Sequence, residues 1–381
     1  MRILMVSMGS LHFFRWTEQL KGSGHDVFWF DILDGGVKSP RLDWVDQRVR
    51  WKQKVKYPGR VFIKKNIPVL HRFIDKMNSN KTSIAFENYL NEVKPDVVHS
   101  FVMYMSCFPI LNVMKRNPGI KWIYSAWGND LFFYRSEPSR LKEIKETLPS
   151  VAYMFADCTR DYTISTELGF NGLYLGTFPT GGGYELKEYH PFLKEASERN
   201  TILIKGYQHK FGRANHVLEA LLTLKSQLNN YKIVIYAANE KVIDKADALG
   251  LTDWENIILL GQIPHKEVLE IKGESLIYIG NSISDGTPNT LLEAMIMEAF
   301  PIQSNPGGAT AEWIIHQKNG LLLEEPEDVD AIAEQISYAL SHPEMLETGV
   351  AYNTKELVPK LEREYVRTQV LQAYKKIEDS L

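Results

Sequence analysis

One rhythm runs through the chain twice, and that repetition limits the possible folds more than any single residue does. Short apolar runs at residues 3–6, 27–30, 97–99 and 122–125 alternate with helical patterns in the first half. Runs at 202–204, 233–236, 257–260, 276–279 and 301–303 do the same in the second. Runs of this kind separated by helix-length segments predict parallel strands, because a parallel pair needs a crossover of roughly a dozen residues or more, usually a helix. The first helical pattern, 13–22, stops at Gly22 and Gly24. Residues 161–165 predict one more strand, and 217–227, 289–297 and 329–340 predict helices. The stretch GTFPTGGGYELKEY and the charges up to Arg199 break the rhythm, so the expected division is a first domain 1–185, a linker 186–200, a second domain 201–360 and a terminal helix 361–381.

A length of 381 residues suits two such domains, and 44% hydrophobic with 24% charged residues fits a globular protein. No apolar stretch approaches the roughly 18 residues of a membrane span. The start, MRILMVSMGS, has too short an apolar run for a leader and is expected as a buried strand, which points to a cytoplasmic protein. Cys107 and Cys158 have neither disulfide nor metal-ligand spacing, so no metal is expected. Net charge is −3, but residues 48–81 hold eleven bases against the single acid Asp75. Trp51, Tyr57, Phe62, Ile63, Ile67 and Leu70 interleave with those bases, a mixture that suits an anionic membrane surface. An ordinary solvated face is the alternative; nucleic acid is not expected, since no compact recognition motif accompanies the charge.

The segment SDGTPNTLLEAM lies between the predicted strand 276–279 and the predicted helix 289–297. Loop-to-helix junctions after parallel strands bind ligands, and free amides at a helix start favour phosphate. Gly286, Thr287, Pro288, Asn289 and Thr290 form this junction, with Pro288 expected near the first turn. Glu293 stands on an apolar helix and so needs a polar partner, for which a pair of ribose hydroxyls would serve. A simple dipole effect of an early-turn acid, about 0.3–1 kcal/mol, is the alternative. Seven residues separate Asp285 from Glu293. At about 1.5 Å per helical residue the two carboxylates start roughly 10 Å apart, too far for the ~5 Å of a retaining hydrolase pair. They are expected at two ends of one long ligand. The loop KGYQHKFGR, residues 205–213, follows another predicted strand, and its bases suit a diphosphate; a solvated loop with incidental charge is the alternative.

With these blocks in order, and with PDVVHSF, SAWGNDLF, IILLGQIP, NPGGATAEWI and NGLLLEEPEDVDAIAEQI beside them, the chain resembles the retaining glycosyltransferases of family 4, among the group 1 glycosyltransferases. The resemblance implies the GT-B fold: two Rossmann-like βαβ domains facing across a cleft, with the terminal helix packing back on the first. It implies that Glu293 binds the donor ribose, that Asp285 and its loop contact the transferred sugar, and that Lys205 and Lys210 hold the diphosphate. Gly261 and Ile263 would lie near the base, Asn129 and Asp130 near the acceptor, and Gly9, Ser10 and His12 near the acceptor or the diphosphate, a structural histidine being the alternative for His12. The implied activity is sugar transfer from a UDP- or GDP-sugar to a glycan or lipid-linked acceptor with retention, in bacterial surface polysaccharide or lipopolysaccharide assembly, without metal or cofactor. An epimerase or phosphorylase of the same architecture, or a non-catalytic sugar-binding protein, are the alternatives. The chain departs from the family pattern at Asp285 for glutamate, Lys205 for arginine, Trp127 for histidine and Glu298 for glycine, the last expected to cost little.

Overall fold

A computed structural model of the chain describes residues 1–55 and 58–381 and, within these, every side chain but those of residues 60, 61 and 71. Lys56, Tyr57 and the Arg60 side chain, all part of the basic stretch, lie outside the described residues. Two compact units result: Met1–Ala156, Tyr162–Gly182 and Gln369–Leu381 form the first, and Asp157–Asp161 with Gly183–Thr368 the second.

The first unit is built on seven strands, β1 (Arg2–Ser7), β2 (Asp26–Asp31), β3 (Asp46–Arg48), β4 (Val97–Phe101), β5 (Lys121–Ala126), β6 (Tyr153–Ala156) and β7 (Leu173–Thr177), in the order β3-β2-β1-β4-β5-β6-β7. Its helices are α1 (Leu11–Glu18), α2 (Arg60–Asn66), α3 (Pro68–Asn78), α4 (Thr82–Val93), α5 (Leu111–Arg116), α6 (Pro138–Thr147) and α7 (Thr159–Glu167), which begins among the residues counted with the second unit. The second unit holds β8 (Thr201–Lys205), β9 (Lys232–Tyr236), β10 (Ile257–Leu259), β11 (Ser275–Gly280), β12 (Phe300–Ser304) and β13 (Leu321–Leu323), ordered β10-β9-β8-β11-β12-β13. With it go α8 (Ala214–Thr223), α9 (Lys225–Leu228), α10 (Glu240–Ala248), α11 (His265–Gly273), α12 (Asn289–Ile296), α13 (Val329–Ser341) and α14 (Pro343–Tyr352), and α15 (Arg363–Glu378) closes the chain. All pairings between these strands are parallel. The two sheets are doubly wound Rossmann-like α/β sheets, as the double rhythm predicts.

Residues 161–165, expected as a strand, are helical. Tyr162 and Ile164 imitate a period of two, but Asp161 and Ser165, four apart, are both buried on one helical face. Strands β3, β6, β7 and β13 were not among the expected ones. The helix expected at 217–227 divides at Leu224 into α8 and α9.

Helix α15 settles onto the first unit through Tyr374, which is wholly buried. Its hydroxyl lies 2.6 Å from Nδ1 of His99 and 3.3 Å from Nε1 of Trp16, while Nε2 of His99 lies 2.8 Å from Oγ of Ser125. Burial pushes the His99 pKa well down, so the imidazole is neutral and each ring nitrogen has one partner. Around it pack Trp16, Phe101 and Phe155, and Trp127 meets Phe101 with tilted rings, their centres 4.7 Å apart.

Glu298 ends α12 with φ of +57°, a conformation that costs a residue with a side chain about 1 kcal/mol relative to glycine. Arg199 offsets this. Its buried guanidinium donates to Oε2 of Glu298 at 2.8 Å and to the carbonyls of Lys194, Met297 and Glu298. That network ties the segment expected as a linker to the second unit.

Candidate active site

In the second sheet the strand order reverses between β8 and β11, the position in open parallel sheets where the following loops diverge and leave a crevice. Lys205 ends β8 and Gly280 ends β11. The lysine loop and the SDGTPNT loop therefore leave neighbouring strands at one sheet edge. They are also joined: the Ile283 amide donates to the Phe211 carbonyl and the Arg213 amide to the Asn281 carbonyl, both at 3.0 Å. Gly212 sits in that seam, where an added Cβ would come within 2.0 Å of the Tyr207 carbonyl oxygen.

Lys205 is partly buried and makes no ion pair among the described residues. Lys210 places Nζ 5.6 Å from the Phe211 ring centre. Between them, Nδ1 of His209 accepts from the amides of Gly212 at 2.7 Å and Phe211 at 3.2 Å. An accepting Nδ1 must be unprotonated, and burial, with Lys205 and Arg213 nearby, lowers the His209 pKa. The ring's remaining N–H, at Nε2, is then a neutral donor. His209 was overlooked among the bases of the loop; the signal was its place between two lysines. Arg213 serves the loop itself, pairing with Glu327 and donating to the carbonyl of Gly212 at 3.0 Å.

The second loop is held from below by residues 157–161. Oγ1 of Thr287 donates to the Asp157 carbonyl at 2.6 Å, and Nη1 of Arg160 donates to the carbonyl of Asp285 at 2.8 Å and of Pro306 at 2.6 Å. Gly286 presses its α-carbon on Asp157, whose carboxylate oxygens would lie 2.3 and 2.5 Å from a Cβ there. Asp285 is only partly buried, and its Oδ1 accepts the Gly286 amide at 2.9 Å. Pro288 is the cap preceding α12, not part of its first turn, and the amides of Leu291 and Leu292 both return to its carbonyl. Asn289 accepts from the Tyr184 hydroxyl at 2.8 Å and Thr290 from that of Tyr278 at 2.9 Å. Thr287, Asn289 and Thr290 thus have protein partners for their side chains; what the junction offers a ligand is chiefly backbone.

Glu293 is buried, as its apolar helix predicts, but its partner is in the protein. Nζ of Lys272, on α11 and wholly buried, lies 2.6 Å from Oε2, and Nε2 of His265 lies 3.1 Å from Oε1. Burial pushes the Glu293 carboxyl up; Lys272 and His265 reverse this and hold it at about 2. The need for a partner therefore no longer argues for a ribose. It leaves Glu293 a fixed carboxylate, lightly exposed, beside the exposed His265. Lys272 was missed because a lysine in HKEVLEIKG looks like a solvated helix face. Gly261 and Ile263 lie just before α11, and the Gly261 carbonyl accepts the Ala237 amide at 3.1 Å.

The candidates from the first unit gather at its own reversal point, between β1 and β4. Gly9 follows β1, and Ser10 caps α1, its Oγ accepting the Phe13 amide at 3.2 Å. His12 is exposed, its ring 6.4 Å from Trp127. After β4 comes Val102 at φ of +69°, a strained conformation for a β-branched residue. Asp130 holds that turn. Its buried carboxylate accepts the Met103 amide at 2.8 and 2.7 Å and the Tyr124 hydroxyl. Asn129, beside it, is partly buried. Asp130 is thereby a brace for the loop, and Asp130→Ala is expected to lower stability by about 2–4 kcal/mol in urea unfolding.

Among the described residues, Asp157, Cys158 and Asp161 bring possible metal-ligand atoms within 4.8 Å of one another. The Arg160 guanidinium, 2.8 Å from Asp161, already supplies the cation there, and burial keeps the Cys158 thiol protonated. The donor set does not suit a metal.

Residues 187–356 match the family described as glycosyl transferases group 1. No curated protein matches the chain in sequence. Among solved structures, sucrose-phosphate synthase from Thermosynechococcus elongatus superposes with a TM-score of 0.70 at 17% identity, covering 100% of both chains. Anabaena Alr3699/HepE in complex with UDP gives 0.71 at 10% identity, over 99% of this chain and 100% of that one. The apo lipopolysaccharide outer core galactosyltransferase WaaB gives 0.66 at 15%, over 99% of each. These likenesses establish the GT-B fold, and the matched region carries a group 1 glycosyltransferase domain.

Proposed function

Proceeding from a group 1 glycosyltransferase domain at residues 187–356, we propose that the chain is a retaining glycosyltransferase of family 4 type, moving a sugar from a UDP- or GDP-sugar to a glycan or lipid-linked acceptor. The observation that carries this reading is the joining of the Lys205 loop and the Asp285 loop at one strand-order reversal. Lys205, Lys210 and the Nε2–H of His209 face the diphosphate, the amides heading α12 reach a phosphate or the sugar, and Asp285 accepts from sugar hydroxyls. Glu293, charged at neutral pH, accepts from the ribose. Gly261 and Ile263 flank the base. Gly9, Ser10 and His12 of the first unit contact the acceptor.

The acceptor hydroxyl attacks the anomeric carbon on the face from which the diphosphate departs. The carbon–oxygen bond to phosphate breaks with its electron pair going to the diphosphate, which takes the acceptor's proton. The two lysines and His209 stabilise the growing negative charge, so positioning and electrostatics do most of the work and no metal is needed. The UDP in the HepE complex favours a uridine donor. The likeness to WaaB, a lipopolysaccharide outer core galactosyltransferase, favours a lipopolysaccharide or surface-glycan acceptor, made in the cytoplasm.

The test is a screen of UDP-, GDP-, dTDP- and CMP-sugars by thermal shift and by hydrolysis, followed by NMR of the product with the best donor. A UDP- or GDP-sugar that raises the melting temperature, and a product with the donor's anomeric configuration, are the expected results. Binding of none of the four, or an inverted product, would overturn the reading.

A further inference from the structure

Helix α3 in the first unit turns its apolar stripe outward. Val69, Phe73 and Met77 stand four residues apart, on one face of an α-helix, and are 69%, 63% and 66% exposed. Helix α2, immediately before it, exposes Phe62, and Ile67 at the junction is exposed as well. A water-facing helix ordinarily buries such a stripe and solvates its opposite face. Here the stripe itself is left in solvent.

The same surface is positive. Lys64 and Lys65 on α2 and Arg72 and Lys76 on α3 are exposed, and none of the four makes an ion pair among the described residues. Arg72 and Lys76 each precede a residue of the stripe by one position, so they flank it. Asp75 is the only acid between residues 48 and 81. Elsewhere in the stretch, Arg48 pairs with Glu92, and Nζ of Lys54 donates to the Met77 carbonyl at 3.2 Å.

We propose that α2 and α3 form a docking face for an anionic lipid bilayer, with Val69, Phe73 and Met77 entering the interface and the four bases meeting lipid phosphates. Charge complementarity decides the occupant. An apolar stripe edged by bases that make no ion pair among the described residues matches a surface that is apolar within and negative at its boundary, whereas a second copy of the chain would bring the same four positive charges against these. The face lies outside the donor loops, so docking and donor binding are separate properties.

The experiment is flotation of the full chain with vesicles of phosphatidylglycerol and phosphatidylcholine, against phosphatidylcholine alone. Flotation with the first and not the second, reduced by raising salt, is expected. The variant Lys64→Ala/Lys65→Ala/Arg72→Ala/Lys76→Ala should partition several hundredfold more weakly, on the order of fivefold per base lost. Val69→Ser/Phe73→Ser/Met77→Ser should also fail to float. Both should keep the wild-type unfolding midpoint and nucleotide-induced thermal shift, which shows that they fold. Absence of flotation with anionic vesicles, or flotation unchanged in the four-base variant, would overturn the proposal. So would dimers in light scattering that the Val69/Phe73/Met77 variant dissociates in the absence of lipid binding. Failure of the donor screen would leave this result unaffected.

Discussion

Glu293→Gln is expected to destabilise the chain by about 3 kcal/mol, because the change leaves the Lys272 ammonium, wholly buried, facing a neutral amide. Lys272→Met should cost a similar amount by leaving the carboxylate with His265 alone. The double variant Lys272→Met/Glu293→Gln removes both charges together, and its loss should fall well below the sum of the singles. Urea unfolding of the four proteins measures this; additive losses would mean that the 2.6 Å pair contributes no coupling. The pH dependence supplies a second check. The folded carboxyl is held at about 2, below its ordinary 4.5. A depressed carboxyl pKa stabilises the fold fully above the unfolded value and loses that contribution as pH falls through the folded one. The stability gap between wild type and Glu293→Gln should therefore be constant above about pH 4.5 and shrink from there toward pH 2. A gap of equal size at pH 3 and pH 7 would contradict the assignment.

This changes how the variant reports on function. A carboxylate held by Lys272 and His265 is already in position before a ribose arrives, so part of any loss of nucleotide affinity in Glu293→Gln comes from the displaced side chain. Nucleotide titrations of this variant are informative at temperatures where it stays folded. Lys272→Arg, which keeps a cation but not the compact ammonium, separates positioning from charge: weaker nucleotide binding with Glu293 intact would mark Lys272 as a positioning residue.

The contrast between Glu293 and its partner shows what the sequence can and cannot disclose. NTLLEAMIM is apolar nearly all round, so periodicity alone buries the glutamate and demands a partner, and both hold. Which group answers that demand depends on how α11 packs against α12, and no local pattern in HKEVLEIKG separates a buried lysine from a solvated one. The same limit hid the role of Asp130, which the family resemblance puts near the acceptor and whose carboxylate holds the turn after a strained valine. The major strands were legible because parallel strands buried on both faces leave continuous apolar runs. Those that escaped are short or polar, such as Asp46–Arg48 at a sheet edge, and Thr159–Glu167 misled because two apolar residues in five satisfy either period. The junction of the lysine loop with the Asp285 loop was visible only as two separate strand-to-loop segments; strand order, which sequence does not encode locally, is what makes them neighbours.

Lys205→Met should leave the unfolding midpoint nearly unchanged while weakening nucleotide binding by roughly 10- to 150-fold, the loss of one charge-assisted bond of about 1.5–3 kcal/mol. The first half follows from the structure, since Lys205 makes no ion pair among the described residues. The second follows from the proposed diphosphate contact and should diminish as salt is raised, because a charge at the rim of a crevice is screened. A ligand-independent effect accompanies it. Lys205 is among the groups that lower the pKa of His209, so its removal should move the imidazole titration upward in NMR, toward the ordinary value. Lys205→Arg restores the charge and should return the titration close to that of wild type. If Lys205→Met shifts His209 but leaves UDP and GDP affinity untouched, the lysine faces the crevice without meeting the diphosphate, and the phosphate must instead rest on Lys210 and the amides heading α12.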